Sequence, residues 1–137
     1  MEINFMGQHE INSESEPYHP SKLERKEYIG IGEFFSLDMR IGTIVKVLQF
    51  PEMRKPSYKI KVDFGEKVGE LWTSAQITNY SRGELLGKSI AAAINLGEKT
   101  LPTGFISEFL ILGALKPDGT VSLMETKENL LPGSVIS

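Results

Sequence analysis

The sequence predicts an all-β fold, a five-stranded Greek-key barrel with one short helix between strands three and four and with N-terminal and C-terminal extensions. Three observations lead there. From Ile31 onward the chain reads mostly as strands, segments of alternating apolar and polar residues broken by turn-forming Gly, Pro and Asp. A helix signal in the second half, "SRGELLG", falls after the third strand. The small residues Gly42, Ala91, Ala92 and Ala93 suit the tight curvature and narrow interior of a small barrel. Three strands, a short helix and then two or more strands is the order of an OB-type barrel. An immunoglobulin-like sandwich is the alternative, and it lacks the helix.

Taken in order, residues 1–29 form an N-terminal extension, rich in Glu, Ser and Pro and poor in apolar periodicity, that cannot bury enough surface to fold alone. Within it "SKLERKEYIG" has capping-box spacing at Ser21 and Glu24, compatible with a turn or two of docked helix. Residues 30–137 are the barrel domain. "EFFSLD" is a short helical turn leading into strand one, "LDMRIGTIVKV". Counting by twos puts Met39, Ile41, Thr43, Val45 and Val47 on one face, and Arg40, Gly42, Ile44 and Lys46 on the other. The loop "FPEMRKP" leads to strand two, "SYKIKVDFG", with Tyr58, Ile60, Val62 and Phe64 inward and Lys59, Lys61 and Asp63 outward. A turn at "GEKVG" precedes strand three, "ELWTSA". In "SRGELLG", Ser81 is the N-cap, Glu84 stands at N3 and Gly87 ends the helix. Strand four is "SIAAAINL", strand five "FISEFLILGAL" after the loop "GEKTLPTG", and "VSLMET" is a last short strand before the tail "LLPGSVIS".

Composition narrows the function. The 137 residues, 40% hydrophobic, suit one domain of ordinary size. The absence of cysteine rules out disulfides, Cys-based zinc sites and thiol nucleophiles, and favours the cytosol. No apolar run reaches the roughly 18 residues of a membrane span, and the first residues lack the basic and apolar regions of a secretory signal. The expectation is a cytoplasmic protein without membrane insertion. Charge is uneven along the chain. Residues 1–29 carry six acidic and three basic residues, the whole of the net −3, while residues 40–61 carry Arg40, Lys46, Arg54, Lys55, Lys59 and Lys61 against Glu52 alone.

Those six cations on strands one and two and their loop would make a positive stripe suited to phosphates. A solvated strand edge, where lysines discourage aggregation, is the competing reading and the stronger one on pattern alone. The polar run Thr73, Ser74, Gln76, Thr78 and Asn79 either contacts base edges and 2′-hydroxyls or forms a hydrogen-bonded turn. Trp72 offers a stacking face, but an aromatic on a short strand more often packs in a core or interface. Phe34, Phe35 and Phe50 read as core or dimer contacts. His9 and His19 are isolated and read as solvent-exposed.

No phosphate loop, clustered His or Ser-His-Asp order lies in the domain, and Asp38, Asp63 and Glu108 lack a cleft signature. The expectation is no enzyme, no cofactor and no metal.

The blocks "FFSLDMRIGTIVKV", "TSAQIT", "ELLGKSIAAAINL" and "GFISEFLILGA" resemble the tRNA-binding domain found at the C-terminus of bacterial methionyl-tRNA synthetases, in the endothelial monocyte-activating polypeptide type of tRNA-binding cofactor, and in the export-related chaperone CsaA. The block "TSAQIT" and the compact length are most similar to the CsaA branch. The resemblance covers about residues 31–137 and implies an OB fold, a homodimer, and tRNA binding by shape and backbone. The CsaA branch adds binding of unfolded or preprotein segments. With the resemblance, the phosphate reading of the stripe overtakes the solvated edge. It also brings Asn95, Ser107 and Glu108 into the candidate site through the pattern N-L … G-x-x-S-E, with Phe109 standing where members often have Met or an aliphatic residue. The candidate RNA-binding set is Arg40, Lys46, Arg54, Lys55, Lys59, Lys61, Ser74, Gln76, Asn95, Lys99, Ser107 and Glu108. A homodimer is expected through "IGEFF" and "LLPGSVI", whose apolar residues exceed what a monomer comfortably exposes.

Overall fold

The computed structural model describes residues 18–137. Strand β1 (Met39–Gln49) pairs antiparallel with β2 (Tyr58–Asp63) along its second half and with β4 (Ser89–Ala93) along its first. With β3 (Glu70–Ala75) beyond β2 and β7 (Leu110–Ile111) beyond β4, the five-stranded sheet runs in the order β3-β2-β1-β4-β7. It curls until its edges meet. The Glu108 amide donates to the Trp72 carbonyl at 2.8 Å, and the Thr73 hydroxyl donates to the Phe109 carbonyl at 2.9 Å. Closing the sheet this way removes the unpaired edges that an open sheet would present. This is the OB-like barrel expected.

The short helices fall where local chemistry favours them. Helix α1 (Ile31–Ser36) precedes β1, and a single turn, α2 (Gly65–Val68), replaces the plain turn expected at "GEKVG". Helix α3 (Arg82–Leu85) stands between β3 and β4 with its capping box formed. The Ser81 hydroxyl accepts from the Glu84 amide at 3.1 Å, and the Glu84 carboxylate accepts from the Ser81 amide at 2.9 Å. Those bonds, the one from the Ser81 backbone foremost, hold the Glu84 carboxyl below the usual carboxylate range. A depressed pKa contributes stability above the unfolded value and loses it as pH falls through the folded one, so this cap weakens in acid.

Alternation in β2 is as read: Tyr58, Ile60, Val62 and Phe64 are buried, while Lys59, Lys61 and Asp63 are only partly so. In β1 it is not. The pairing with β2 shifts between Ile44 and Lys46, leaving Val45 as a bulged residue. One extra residue swaps the faces. Ile44, expected outward, joins the core at 1% exposure, and Val45, expected inward, is 40% exposed. Gly42 also faces the interior: a Cβ there would lie 2.4 Å from Val62 Cγ1 and 2.6 Å from the Phe64 ring, so only glycine lets β1 and β2 pack this closely.

On the edge that β2 leaves open, the C-terminal segment flanks the first half of β1. The Ile41 amide donates to the Ser134 carbonyl, and the Gly133 and Ile136 amides donate to the Ile41 and Met39 carbonyls.

The fifth strand expected from "FISEFLILGAL" is three short ones. Its residues change partners as they cross the barrel: β6 (Ile106–Ser107) pairs with β5 (Lys99–Thr100), β7 with β4, and β8 (Gly113–Leu115) with β9 (Val121–Leu123). The capping box expected at Ser21 and Glu24 is absent. A 3₁₀ turn at Pro20–Lys22 forms instead, because the His19 ring Nδ1 accepts from the Ser21 amide at 3.2 Å and caps it two residues earlier. His19 is partly buried, and His9 lies outside the described residues.

Candidate nucleic-acid interface

Residues directly opposite on neighbouring antiparallel strands share a face. The register aligns Lys46 with Lys61 and Lys61 with Trp72; one step along, it aligns Leu48 with Lys59 and Lys59 with Ser74. Three of the expected cations, Lys46, Lys59 and Lys61, therefore stand together on one barrel wall. Two of them, Lys59 and Lys61, reach over aromatic surface, as long cationic side chains do. The Lys59 ammonium lies 4.6 Å from the Phe50 ring centroid and 5.6 Å from that of Phe105, and the Lys61 ammonium 5.7 Å from that of Trp72. Lys61 also meets Glu70 at 3.0 Å. Arg54, exposed, and Lys55, partly buried, stand in the β1–β2 loop.

Arg40 does not join this wall. Its Nε donates to Asp38 Oδ1 at 2.6 Å, its Nη2 to Asp38 Oδ2 at 3.3 Å and its Nη1 to the Gly133 carbonyl at 3.1 Å. Such a two-pronged pair holds a guanidinium in place. Asn95 belongs to the same clamp: its carbonyl accepts from the Asp38 amide and its amide group donates to the Ser36 carbonyl, both at 2.8 Å. Together they tie α1, β1, the end of β4 and the C-terminal segment.

Ser74 and Ser107, expected on a polar rim, are each 1% exposed. Ser107 Oγ lies 2.9 Å from Thr73 Oγ1 and accepts from the Ser74 amide at 3.5 Å, so these hydroxyls staple β3 to β6 inside the barrel wall. Burial there requires hydrogen-bond partners, and the Thr73 hydroxyl and the Ser74 backbone amide supply them to Ser107. Gln76 and Lys99 are partly buried, whereas Thr78 and Asn79 are exposed, the latter donating to the Val121 carbonyl at 2.9 Å. The carboxylates Asp38, Asp63 and Glu108 do not converge. Asp38 holds Arg40, Asp63 accepts from the Gly65 amide, and Glu108 accepts from the Trp72 amide.

What the sequence reading missed is a depression of about 550 Å³ beside the lysines, walled by Leu48, Trp72, Phe105 and Ile106 and lined also by Lys59, Glu98 and Glu108. Its residues come from β1, β2, β3 and the β5–β6 region. Only the barrel closure brings them together. The one signal for it was Trp72, the sole tryptophan, on the outward face of β3 beside the lysines.

A family model described as "Putative tRNA binding domain" matches residues 39–135. Among solved structures, the CsaA chaperone protein of Picrophilus torridus is 42% identical with a TM-score of 0.75, covering 80% of this chain and all (100%) of that one. The chaperone CsaA of Bacillus anthracis is 37% identical with a TM-score of 0.76, covering 81% of this chain and 100% of that one. The methionine–tRNA ligase of Phocaeicola vulgatus is 32% identical over 111 residues, 81% of this chain but 16% of the ligase, so the chain spans about a sixth of that relative's length.

Proposed function

This chain belongs to the tRNA-binding-domain family and stands with its CsaA-type members, and from that membership we propose that it binds tRNA in trans, as a homodimer and without catalysing a reaction. The observation that carries the reading is the wall of Lys46, Lys59 and Lys61, three cations in register on one face of an OB-like barrel. Phosphates are bound by such a wall without regard to sequence, which suits recognition of tRNA by shape. Arg54 and Lys55 extend it along the β1–β2 loop. Arg40 and Asn95 act by holding the C-terminal segment and α1 against the barrel, and Ser107, bonded to Thr73 and to the Ser74 backbone, by holding it closed. A tRNA partner implies a cytoplasmic location. No helix among the described residues is long and apolar enough to cross a membrane. The domain spans residues 30–137, and of the extension read at 1–29 residues 1–17 lie outside the described residues.

The test is binding of bulk tRNA across a salt series. The logarithm of affinity is expected to fall with log salt at about −0.7 per phosphate contacted through single-stranded segments. A flat line, or no binding at low salt, overturns the reading.

A homodimer interface is supported by apolar residues left in water on α1 and the C-terminal segment. Ile31 is 70% exposed, Phe35 63%, Leu131 81% and Val135 70%. These are the two segments singled out by the sequence. Light scattering is expected to give twice the 15.3 kDa chain mass, and Phe35→Asp to give the chain mass alone; a wild-type chain that stays at one chain mass at all concentrations refutes the interface. The same patch favours a second reading, in which apolar peptide segments dock there, in keeping with the chaperone relatives. Competition decides between shared and separate surfaces: unfolded peptide displaces tRNA only if the two overlap.

A further inference from the structure

The geometry points to the depression beside the lysine wall as a pocket for one unstacked nucleobase of the bound RNA, preferring bases that carry an amino group over uracil. It rests on the tRNA-binding reading and adds a reading of base identity. At about 550 Å³ the pocket falls within the range of roughly 300–1,000 Å³ common for small-ligand clefts. Trp72 and Phe105 meet edge to face, ring planes 85° apart and centroids 6.4 Å apart. They form a corner rather than a filled stack. A flat ring laid on one aromatic face meets the edge of the other, the arrangement that binds bases without strand pairing.

The backbone of Trp72 is pinned before any ligand arrives. Its amide donates to Glu108 Oε1 at 3.0 Å, and its carbonyl accepts from the Glu108 amide at 2.8 Å. Glu108 accepts through Oε1 alone, and both Glu108 and Glu98 line the pocket. An ionised carboxylate only accepts hydrogen bonds. The amino groups of cytosine, adenine and guanine offer donors to it, whereas the single N3–H of uracil is flanked by two carbonyl oxygens that a carboxylate repels. Lys59 lines the pocket too, so the base's own phosphate finds a cation beside the ring. An apolar peptide side chain would fill the corner but leave two carboxylates unanswered, which is why a base fits better.

Because Trp72 is the only tryptophan, its emission reports the pocket directly in the full chain. Titration with hexamers of cytidylate and adenylate is expected to quench Trp72, each binding about tenfold tighter than the uridylate hexamer. Glu108→Gln keeps an acceptor for the Trp72 amide and presents a donor to the ligand, so it is expected to erase the preference while uridylate binding holds or improves. Trp72→Leu, followed with fluorescent hexamers, is expected to lose about tenfold or more in affinity for all of them. Bulk tRNA binding keeps the two ideas apart. If tRNA binds with a normal salt slope while Trp72 stays silent to every hexamer, or if uridylate binds as well as the others, the pocket assignment is wrong and the tRNA reading stands. If tRNA does not bind, both fall. Quenching by an apolar peptide but not by any hexamer assigns the pocket to peptide instead.

Discussion

Replacing Lys46, Lys59 and Lys61 together by alanine is expected to weaken tRNA binding about tenfold to a hundredfold at moderate salt and to flatten the salt dependence by about two in slope, near 0.7 for each phosphate no longer neutralised. The weakening should be similar for every tRNA, because phosphate contacts position a ligand without reading it. Among single variants, Lys46→Ala and Lys59→Ala should cost more than Lys61→Ala. Lys61 already sits 3.0 Å from Glu70, whose side chain is 47% exposed, and a phosphate must first displace that carboxylate. Such an exposed pair is worth at most about 1 kcal/mol, so the displacement costs little. Folding should survive the triple change, since what is lost is the surface cation–ring attraction of Lys59 and Lys61, about 0.5–1 kcal/mol each, and the exposed Lys61–Glu70 pair. Arg40→Ala is the control that separates phosphate binding from scaffolding. Its guanidinium is occupied by Asp38 and the Gly133 carbonyl, so the variant should lower the melting temperature and leave the salt slope unchanged. Should Arg40→Ala flatten the slope as much as Lys59→Ala, the clamp opens to RNA and the wall is larger than the three lysines. An unchanged slope in the triple variant would reduce the wall to a solvated face.

Much of this was legible in the sequence, and the failures have physical causes. Strand β2 could be read by twos because it is regular from Tyr58 to Asp63. The capping box of α3 could be read because a cap is local, requiring only Ser81 and Glu84. Strand β1 misled because a bulge is set by the partner strand: nothing in "GTIVKV" says that Val45 will have no opposite residue on β2, yet that displacement decides which of Ile44 and Val45 enters the core. "FISEFLILGAL" misled because its apolar continuity hides two changes among three partners. At the site, Ser74 and Ser107 resembled rim residues because polarity was all that could be seen. In the fold both are buried inside the wall, where the Ser107 hydroxyl bonds to that of Thr73 and accepts from the Ser74 backbone amide. Lysines could be assigned to a face from one strand alone. The Trp72 pocket could not, since its walls lie on segments more than fifty residues apart, from Leu48 to Ile106.

Phe109→Ala is expected to cost about 3–5 kcal/mol, the range for truncating a buried phenylalanine. Phe109 is fully buried, at 0% exposure, and meets Phe64 edge to face with ring centroids 5.0 Å apart. A cavity there lies at the closure of the barrel, because the Phe109 carbonyl accepts from the Thr73 hydroxyl and the preceding amide, Glu108, donates to Trp72. Neighbours can relax into it only by loosening the seam between β3 and the β6–β7 segment, so the destabilisation should fall near the upper end of the range. Against a total stability of about 5–15 kcal/mol for a domain, the variant loses a large share of its margin and melts far earlier. Phe109→Leu, which nearly conserves volume and gives up only the edge-to-face pairing, should cost less than about 1.5 kcal/mol. Urea unfolding measures both: the midpoint should fall in the order wild type, Leu, Ala with the slope unchanged. Equal midpoints for wild type and Ala would mean that the seam is closed by its hydrogen bonds alone and that the ring only fills space. The seam also carries function. Trp72 is held through Glu108, one residue from Phe109, so at a temperature where Phe109→Ala is still folded its hexamer affinity should already be reduced, while phosphate binding at the Lys46 end of the wall persists.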